Sequence, residues 1–312
     1  MKFLSVAQVA KNWNLSERTV RNYCASGKIP DAFLTGKTWN IPENAEPPKR
    51  SNSVKQAPSN LLEVLKAEKA SKIKGGIYHK IQVELTYNSN HIEGSKLTHD
   101  QTRYIFETNT IGITDSAVNI DDIVETANHF KCIDTVIDNA AKPLSETFIK
   151  QLHLTLKNGT SDSRKDWFVV GDYKKYPNEV GGKITVLPEK VPESIKLLIS
   201  EYNKIKDKTF NDIIRFHYEF ECIHPFQDGN GRIGRLILFK ECLKNNIVPF
   251  IIDENLKMFY YRGLNEWKSE KGYLIDTCLT AQDKFKKYLE YFRIPYTCLL
   301  YTSPSPRDAH ES

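Results

Sequence analysis

Apolar residues recur every three or four positions over most of the chain beyond residue 60, and this spacing predicts a series of long amphipathic helices. The stretch from residue 167 to residue 186 breaks the pattern, because its β-branched residues are interrupted by Gly171, Gly181 and Gly182. Such a stretch is typical of a β-hairpin. We therefore expect a mainly α body with one short hairpin. The predicted helices are Leu61–Lys74, Val118–Asp138, Glu146–Leu156, Val191–Lys204, Asn211–Cys222, Arg232–Asn245 and Tyr273–Arg293.

The first 42 residues predict a separate small unit. Ser5 and Ser16 each stand where they can cap a short helix, and Gly27 ends the second of these helices. Residues 34–41 then have the pattern of a β-wing around a Gly-Lys turn. Two capped helices followed by a wing predict a small winged helix-turn-helix domain over residues 1–42. The segment from residue 15 to residue 30 resembles the excisionase/MerR type of this domain.

This resemblance implies DNA binding by the small unit. Arg18, Arg21 and Asn22 would lie on the outward face of its second helix, where they could meet phosphates or base edges in a major groove. The charge gives the hypothesis of DNA binding little support, since residues 1–42 contain only six Lys and Arg against two Asp and Glu. A protein-docking module with a solvated basic face therefore remains an alternative, and specific DNA binding would require a dimer.

Composition is that of a globular protein, and the 312 residues allow two domains. Hydrophobic residues make up 40% and charged residues 27%, which excludes disorder as the dominant state, and the net charge of +5 is far from that of a polybasic protein. Residues 43–60 lack periodicity and are rich in Pro, Ser, Asn and Lys, so they predict a linker. No apolar run approaches the roughly 18 residues of a membrane span, so we expect a cytoplasmic protein without membrane contact. Six cysteines without a C-x-x-C pair indicate reduced thiols, although disulfides or a zinc site stay open.

The candidate chemistry lies in the segment from His224 to Arg235, which reads HPFQDGNGRIGR. Residues 229–234 fit the dinucleotide fingerprint G-x-G-x-x-G, and Asp253 follows at about the required distance. That fingerprint must follow a buried parallel strand, whereas the apolar residues between positions 213 and 223 recur at helical spacing. The sequence therefore indicates a loop between two helices rather than a Rossmann fold.

This loop has the groups that a phosphate-transfer site needs. The backbone N–H groups of Gly229–Gly231 can converge on an anion at the start of the following helix. Arg232 and Arg235 share one face of its first turn, where cations oppose the helix dipole and a bound polyphosphate would compensate them. Asp228 is a hard carboxylate suited to Mg²⁺, and His224 can take up a proton near neutral pH. A Gly-rich turn with a core histidine and surface arginines is the structural alternative.

Residues 224–235 match every position of the Fic-family signature H-P-F-x-D-G-N-G-R-x-x-R, and residues 216–223 resemble the helix that leads into it. The chain is therefore identified as a member of the Fic family over about residues 84–291, within a body of residues 61–297. The resemblance implies an all-helical Fic fold that uses ATP and Mg²⁺. It also implies transfer of AMP to a Ser, Thr or Tyr hydroxyl of a target protein, or of the protein itself.

The same resemblance implies a role for each residue of the signature. His224 is the base that deprotonates the target hydroxyl, Asp228 holds Mg²⁺, and Phe226 packs under the loop. The implied ATP phosphate ligands are Gly229, Asn230, Gly231, Arg232 and Arg235.

Residues 89–94 read SNHIEG and resemble the inhibitory motif [S/T]-x-x-x-E-G, in the class of Fic proteins that has this motif on a helix N-terminal to the core. The implied inhibitory residues are Ser89, Glu93 and Gly94. In this class Glu93 would pair bidentately with Arg235, occupy the γ-phosphate position and force ATP into an unproductive pose. An ordinary helix end is the simpler explanation of Glu-Gly.

Residues 181–188 lie where the family has its flap, a hairpin that receives the target segment by β-augmentation. An ordinary surface hairpin is the alternative. Tyr260, Tyr261 and Asn265 lie where the family builds its adenine pocket, although aromatic residues at helical spacing also suit a core. The implied target-binding residues of the flap are Gly182, Lys183, Ile184, Thr185 and Val186.

The last residues, 298–312, match neither the helical pattern nor any family feature. They begin CLLYTSPSPRD, which resembles the conceptual translation of a transposase-type sequencing-library adapter. We expect this tail to be non-native and to form no part of the fold, with the native reading frame lost near residue 297.

Two other functions are compatible with the same residues. An intact Glu93 also suits a Fic-type enzyme that removes AMP or transfers another phosphate-containing group. A nucleotide-sensing regulator would instead act through DNA binding by residues 1–42. The sequence is compatible with a homodimer in each case.

Overall fold

A computed structural model describes residues 2–35, 38–48, 60–112 and 117–296, and it describes Arg18 through its backbone alone. The chain separates into two compact units, residues 1–57 and residues 58–312. The Gly-Lys turn of the predicted wing, most of the predicted linker and the predicted non-native tail lie outside the described residues.

The N-terminal unit consists of two helices and a small antiparallel sheet. Ser5 caps the first helix in a reciprocal capping box with Gln8, and the Ser16 side chain accepts a hydrogen bond at the start of the second, so both predicted helix starts are confirmed. Val20 and Ile41 are fully buried between the helices and the sheet. The elements are β1 (Phe3–Leu4), α1 (Val6–Asn12), α2 (Glu17–Ala25), β2 (Phe33–Thr35) and β3 (Thr38–Pro42), and β3 pairs with both β1 and β2.

The second unit is mainly helical, as predicted, and its described residues include one hairpin of two short strands. All seven helices predicted from periodicity are present, with ends that shift by no more than a few residues. The helices are α3 (Leu61–Ser71), α4 (Ile77–Ile92), α5 (His99–Thr108), α6 (Ile120–Asn139), α7 (Glu146–Lys157), α8 (Val191–Lys204), α9 (Phe210–Ile223), α10 (Asn230–Lys244), α11 (Glu254–Glu266) and α12 (Gly272–Tyr291), and the strands are β4 (Glu179–Val180) and β5 (Lys183–Ile184).

Helix α10 forms the centre of this unit. It packs against α4, α6, α7 and α9, and it is buried on almost every side rather than along one stripe. Ile233, Leu236 and Ile237 on α10 join the largest apolar cluster, which also takes in residues of α6, α7 and α9. Arg232 and Arg235 lie in the first two turns of α10. Because this helix is buried, both guanidinium groups lie inside the protein and need buried counter-charges.

Two further expectations concern the thiols and the membrane. Five cysteines lie in the described part of the chain as free thiols, four of them buried and Cys222 exposed. The sixth, Cys298, lies outside the described residues. Among the helices described, none is both long and apolar enough to span a bilayer.

Candidate active site

Two residues with left-handed backbone conformation shape the signature loop. Helix α9 ends at His224, whose φ is 51°, and its N–H donates to the carbonyl oxygen of Phe220 at 2.9 Å. Helix α10 begins after Gly229, whose φ is 83°. Glycine adopts this conformation without steric cost, and it leaves the first N–H groups of α10 directed at the loop. The predicted geometry of a loop between two helices is thus present.

The loop is fixed from inside by Asn230 and Phe226. The Asn230 side chain accepts a hydrogen bond from the Phe226 N–H and donates one to the Phe226 carbonyl oxygen, both at 2.8 Å. The fully buried Phe226 ring stacks on His153 with centroids 4.0 Å apart. His153 Nδ1 accepts from the Gly171 N–H, so Nε2 carries the proton and donates to the Asp228 carbonyl oxygen at 3.2 Å. Sequence reasoning missed His153, because its partners lie on other elements.

His224 is held as a neutral imidazole. Burial, and then the nearby cation of Lys174, lowers its pKa to about 4. The sequence suggested titration near neutral pH, and the difference arises because burial disfavours the charged form. A general base must be unprotonated to accept a proton, so His224 is in the form that this role needs at pH 7.

The first arginine of the signature belongs to a buried charge cluster. Arg232 contacts Glu125 of α6, and its guanidinium also donates to Asp228 Oδ2 at 3.1 Å. The Lys157 side chain is 2% exposed, and its Nζ lies 2.6 Å from Glu125 Oε1, 2.7 Å from Asp228 Oδ2 and 3.0 Å from Asp162 Oδ2. Burial opposes ionisation of Asp228, but Arg232 and Lys157 outweigh it and lower the pKa of this carboxyl to about 2.

The second arginine pairs with the predicted inhibitory glutamate. Arg235 donates through Nη2 to Glu93 Oε1 at 2.6 Å and to the Ser89 carbonyl oxygen at 2.9 Å, while Nε donates to Ser89 Oγ at 3.0 Å. The expected bidentate pair is therefore wrong in detail, because Glu93 accepts from Nη2 through one oxygen while Ser89 accepts from Nε and Nη2. A Cβ on Gly231 would collide with Glu93 Oε1, so the carboxylate lies over the start of α10.

These contacts correct one expectation about the arginines. We expected a bound polyphosphate to compensate their charge at the N-terminal end of α10. In the structure, protein carboxylates do so, with Glu125 and Asp228 beside Arg232 and Glu93 beside Arg235. A ligand with phosphate groups would have to displace Glu93 to reach the Arg235 guanidinium.

Asp228 is the one predicted metal ligand. No group of three or more His, Cys, Asp and Glu side chains suited to a metal ion occurs in the described part of the chain. The donor chemistry of Asp228 nevertheless fits Mg²⁺, which in nucleotide sites is bound by one or two carboxylates together with phosphate oxygens and water. About half of the Asp228 side chain is exposed, so it is accessible from outside.

A cavity of about 690 Å³ is lined by ten of the predicted site residues, whereas Asp228, Gly229, Asn230 and Arg232 of the signature do not line it. His224, Gly231 and Arg235 line it on one side and Glu93 reaches into it. Of the remaining predicted residues, Gly94 follows Glu93 at the end of α4, with φ of 100°. The other lining residues that were predicted are Lys183, Ile184 and Thr185 of the flap and Tyr260, Tyr261 and Asn265 of α11.

The flap and α11 meet across the mouth of this cavity. Lys183 Nζ donates to the Asn265 carbonyl oxygen at 2.8 Å. Strands β4 and β5 pair antiparallel around Gly181 and Gly182, both with positive φ, as a tight hairpin requires. Val186 packs against the core instead of lining the cavity. Tyr260 is buried, and its hydroxyl lies 2.6 Å from His217 Nε2.

The N-terminal unit presents part of its predicted surface. Arg21 and Asn22 are exposed on α2, and the Arg21 guanidinium lies 4.0 Å from Glu17. The Arg18 side chain lies outside the described residues.

The fold and the site define a mainly helical protein in which a histidine, a buried arginine, a helix N-terminus and a hairpin surround one nucleotide-sized cavity. Residues 143–241 match the model of the Fic/DOC family. The chain therefore contains a Fic/DOC family domain, and the family resemblance of its sequence is confirmed.

Proteins named protein adenylyltransferase Fic are among its relatives. The protein of Drosophila mojavensis is 26% identical over 186 residues, which cover 57% of this chain and 35% of that protein. The protein of Nematostella vectensis is 24% identical over 184 residues, which cover 58% of this chain and 42% of that protein. The chain thus spans well under half the length of these relatives.

Solved structures of Fic proteins share the fold. A Fic domain containing signaling protein from Bacteroides thetaiotaomicron has a TM-score of 0.54 at 26% identity, over 74% of this chain and 90% of that one. Fic-1 from C. elegans has a TM-score of 0.58 at 19% identity, over 74% of this chain and 71% of that one. The all-helical fold predicted for the body is therefore confirmed.

Proposed function

We propose that this chain is a protein adenylyltransferase that moves AMP from ATP to a hydroxyl side chain of a target protein. The observation that carries the proposal is the cavity of about 690 Å³ in which a neutral His224 and the buried Arg235 guanidinium share one wall. Its volume lies in the range of small-molecule sites, roughly 300–1,000 Å³. The names of the relatives at 24–26% identity support the same activity.

In the proposed reaction, His224 takes the proton of a Ser, Thr or Tyr hydroxyl. The hydroxyl oxygen then forms a bond to the α-phosphorus, and the bond from this phosphorus to the oxygen bridging the α- and β-phosphates breaks, so that pyrophosphate leaves. A positioned base of this kind is worth about 10²–10⁴ in rate. The N–H groups of Gly229–Gly231 and the guanidinium groups of Arg232 and Arg235 bind the phosphate charge. Asp228 would hold Mg²⁺, which neutralises developing charge on the phosphates when bound.

The walls of the cavity would select both substrates. Tyr260, Tyr261 and Asn265 hold the adenine, and the flap pairs with an extended segment of the target by β-augmentation. Ile184 of the flap is 77% exposed, which leaves an apolar side chain available to such a segment. The partner is thus a protein with an accessible hydroxyl, and the chain itself can serve as one.

We further propose that Glu93 restrains this activity. Its carboxylate lies 2.6 Å from Arg235 Nη2 and above Gly231, where the outer phosphates of ATP would otherwise bind. A carboxylate and a phosphate cannot share this position, so ATP binds productively only when Glu93 moves away.

The test incubates the purified protein with Mg²⁺ and ATP labelled at either the α- or the γ-phosphate. The variants are Glu93→Gly, His224→Ala and, as a matched control, Glu43→Gly, which removes an exposed turn glutamate of the N-terminal unit. We expect label on protein from the α position alone, strongest in Glu93→Gly, absent in His224→Ala and unchanged in Glu43→Gly.

Other outcomes separate the alternatives. Label from the γ position would indicate a phosphotransferase and contradict AMP transfer. Absence of label from both positions would also contradict it, and the wild-type protein would then be tested for release of AMP from a modified target.

For the N-terminal unit we propose DNA contact through α2. The support is its two capped helices, its antiparallel sheet and the exposure of Arg21 and Asn22 on one helix. In helix-turn-helix proteins the second helix enters the major groove. This contact is compatible with AMP transfer by the body, since it would bring the enzyme to DNA or to a DNA-bound target.

A further inference from the structure

Lys174 is a buried lysine beside the site whose hydrogen-bond acceptors are all neutral. It is 4% exposed, and its Nζ donates to Asn178 Oδ1 at 2.7 Å, Thr185 Oγ1 at 2.6 Å and, more weakly, the Ile223 carbonyl oxygen at 3.5 Å. No carboxylate of the described residues forms an ion pair with it. A buried cation without an opposite charge is costly, and burial lowers the pKa of Lys174 to about 8.

The acceptors of Lys174 belong to two different parts of the site. Asn178 and Thr185 form the base of the flap, where the Thr185 N–H and hydroxyl both bond to Asn178. The Ile223 carbonyl directly precedes His224, and the backbone N–H of Lys174 donates to the carbonyl oxygen of Pro225, directly after His224, at 2.9 Å. One residue therefore holds the chain on both sides of His224 and, at the same time, the base of the flap.

The charge of Lys174 acts on the same histidine. After burial, the Lys174 cation is the next cause that lowers the pKa of His224. Glu93 and Asp228 act on His224 in the opposite direction. The Glu221 carboxyl of α9 also faces His224, with Oε2 3.9 Å from Nδ1, and burial raises the pKa of this carboxyl to about 8. Since a cation near imidazole disfavours imidazolium, Lys174 favours the neutral base.

We propose that Lys174 is a positioning residue that fixes the flap against the His224 segment, so that a hydroxyl held by the flap meets the base. This inference rests on the proposed AMP transfer. A polypeptide that binds along β4 and β5 is placed relative to His224 through the hairpin base, which two side chains connect to the His224 segment. The Lys174 ammonium donates to the carbonyl oxygen directly before His224, and Asn178 Nδ2 donates to the Phe226 carbonyl oxygen at 3.1 Å. Misplacement of reacting groups by about 1 Å costs about 100-fold in rate.

The first test measures automodification in the Glu93→Gly background with Lys174→Met, Lys174→Arg and, as a matched control, Lys175→Met, which changes the neighbouring exposed lysine. We expect Lys174→Met to lower the maximal rate by about 10- to 100-fold while the KM for ATP changes by less than about threefold, because the phosphate ligands are untouched. Lys174→Arg should recover most of the rate, since guanidinium can donate to the same three oxygens.

The pH profile separates positioning from simple loss of packing. Lys174→Met should move the acid limb of the rate to higher pH, because the pKa of His224 rises when the cation is removed. Lys175→Met should leave the limb in place. An equal rate for Lys174→Met and its parent, or a rate loss that comes entirely from the KM for ATP, would overturn the proposal.

A second readout does not depend on catalysis. Hydrogen exchange of the peptide covering residues 173–186 reports the N–H groups of Lys174 and Thr185, which bond to Pro225 and Asn178. Lys174→Met should accelerate their exchange while the other helices of the body keep their protection. If Glu93→Gly shows no AMP transfer, the proposed activity fails and this measurement alone decides, since unchanged exchange refutes the link between flap and loop.

Discussion

At the scale of single residues, the site is governed by which charges burial permits. Arg232 and Arg235 lie inside the protein, and each is matched by a carboxylate from a distant part of the chain. The signature identified both arginines from the sequence. It could not identify Glu125, which lies 107 positions away on α6 and becomes a partner only through helix packing. Contacts of this kind have no local periodicity, so sequence patterns do not reveal them.

Glu221 gives a prediction at this scale. It lies on α9 one turn before His224, its Oε1 has no hydrogen-bond partner in the described structure, and burial raises its pKa to about 8. The folded protein thus keeps a proton that an unfolded chain releases near pH 4.5. This proton favours the folded state below pH 4.5, and the stabilisation is lost as the pH rises through 8.

Glu221→Gln should therefore stabilise the protein more at pH 8 than at pH 5. Glutamine has nearly the shape of the protonated carboxyl group but does not titrate, so its contribution to stability does not change with pH. A difference of one unit between the folded and unfolded pKa is worth about 1.4 kcal/mol. Relative to wild type, the increase in the free energy of unfolding should be about 1–3 kcal/mol larger at pH 8 than at pH 5. Urea unfolding at the two pH values measures this difference. Glu219→Gln on the exposed face of α9 is the control. Equal effects at both pH values would contradict the prediction.

At the scale of elements, the helices that could be predicted from the sequence are those with the strongest apolar periodicity and the clearest caps. Ser5 and Ser16 marked their helices correctly, and α8 begins and ends where it was predicted. Strand β1 was missed because two residues show no alternation. Helix α5 was also missed, although Thr98 and Gln101 form a capping box that was a usable signal. Helix α4 was inferred in part, from the inhibitory motif at its C-terminal end.

The join between the signature loop and α10 carries the second prediction. Asn230→Ala removes both hydrogen bonds to the Phe226 backbone, and the buried Phe226 N–H then has no acceptor. Its carbonyl oxygen keeps one donor, Asn178, at 3.1 Å. We expect a loss of about 1–3 kcal/mol in the free energy of unfolding. AMP transfer in the Glu93→Gly background should fall by at least about tenfold, because Asp228 and His224 lose their fixed spacing.

A matched control lies at the other end of the same helix. Asn245 donates one bond, at 2.8 Å, to the Glu241 carbonyl oxygen at the helix end. Asn245→Ala should cost less than about 1 kcal/mol, with AMP transfer unchanged. Urea unfolding measures the stability, and the assay with ATP labelled at the α-phosphate measures AMP transfer. Equal losses of AMP transfer in the two variants would contradict a specific role for the Asn230–Phe226 hydrogen bonds.

At the scale of the whole molecule, the described residues form a helical body with the site and a small unit with two helices and three strands. The sequence predicts a small unit over residues 1–42 and a body from residue 61, on the basis of composition, caps and the change of pattern after residue 42. The sequence could not predict the cavity itself, because its walls come from α4, α9, α10, α11 and the flap, which are separated by up to about 170 positions. Only the packing of the helices around α10 brings them together.

The proposed DNA contact is testable on the full chain through its salt dependence. Each phosphate contact made by a cation releases counterions, so the logarithm of the binding constant falls linearly with the logarithm of salt concentration, by about 0.9 per contact. Arg21 is exposed on α2, and its guanidinium lies 4.0 Å from the Glu17 carboxylate, at the limit of an ion pair. A half-exposed pair of this kind contributes little stability, so the guanidinium is available to a phosphate.

If Arg21 contacts one phosphate, Arg21→Ala should weaken binding to duplex DNA and reduce the slope by about one, measured by fluorescence anisotropy over a salt series. Arg215→Ala, an exposed arginine of the body, should change neither quantity. A slope that is flat in the wild type, or equal in both variants, would assign α2 to a protein partner instead.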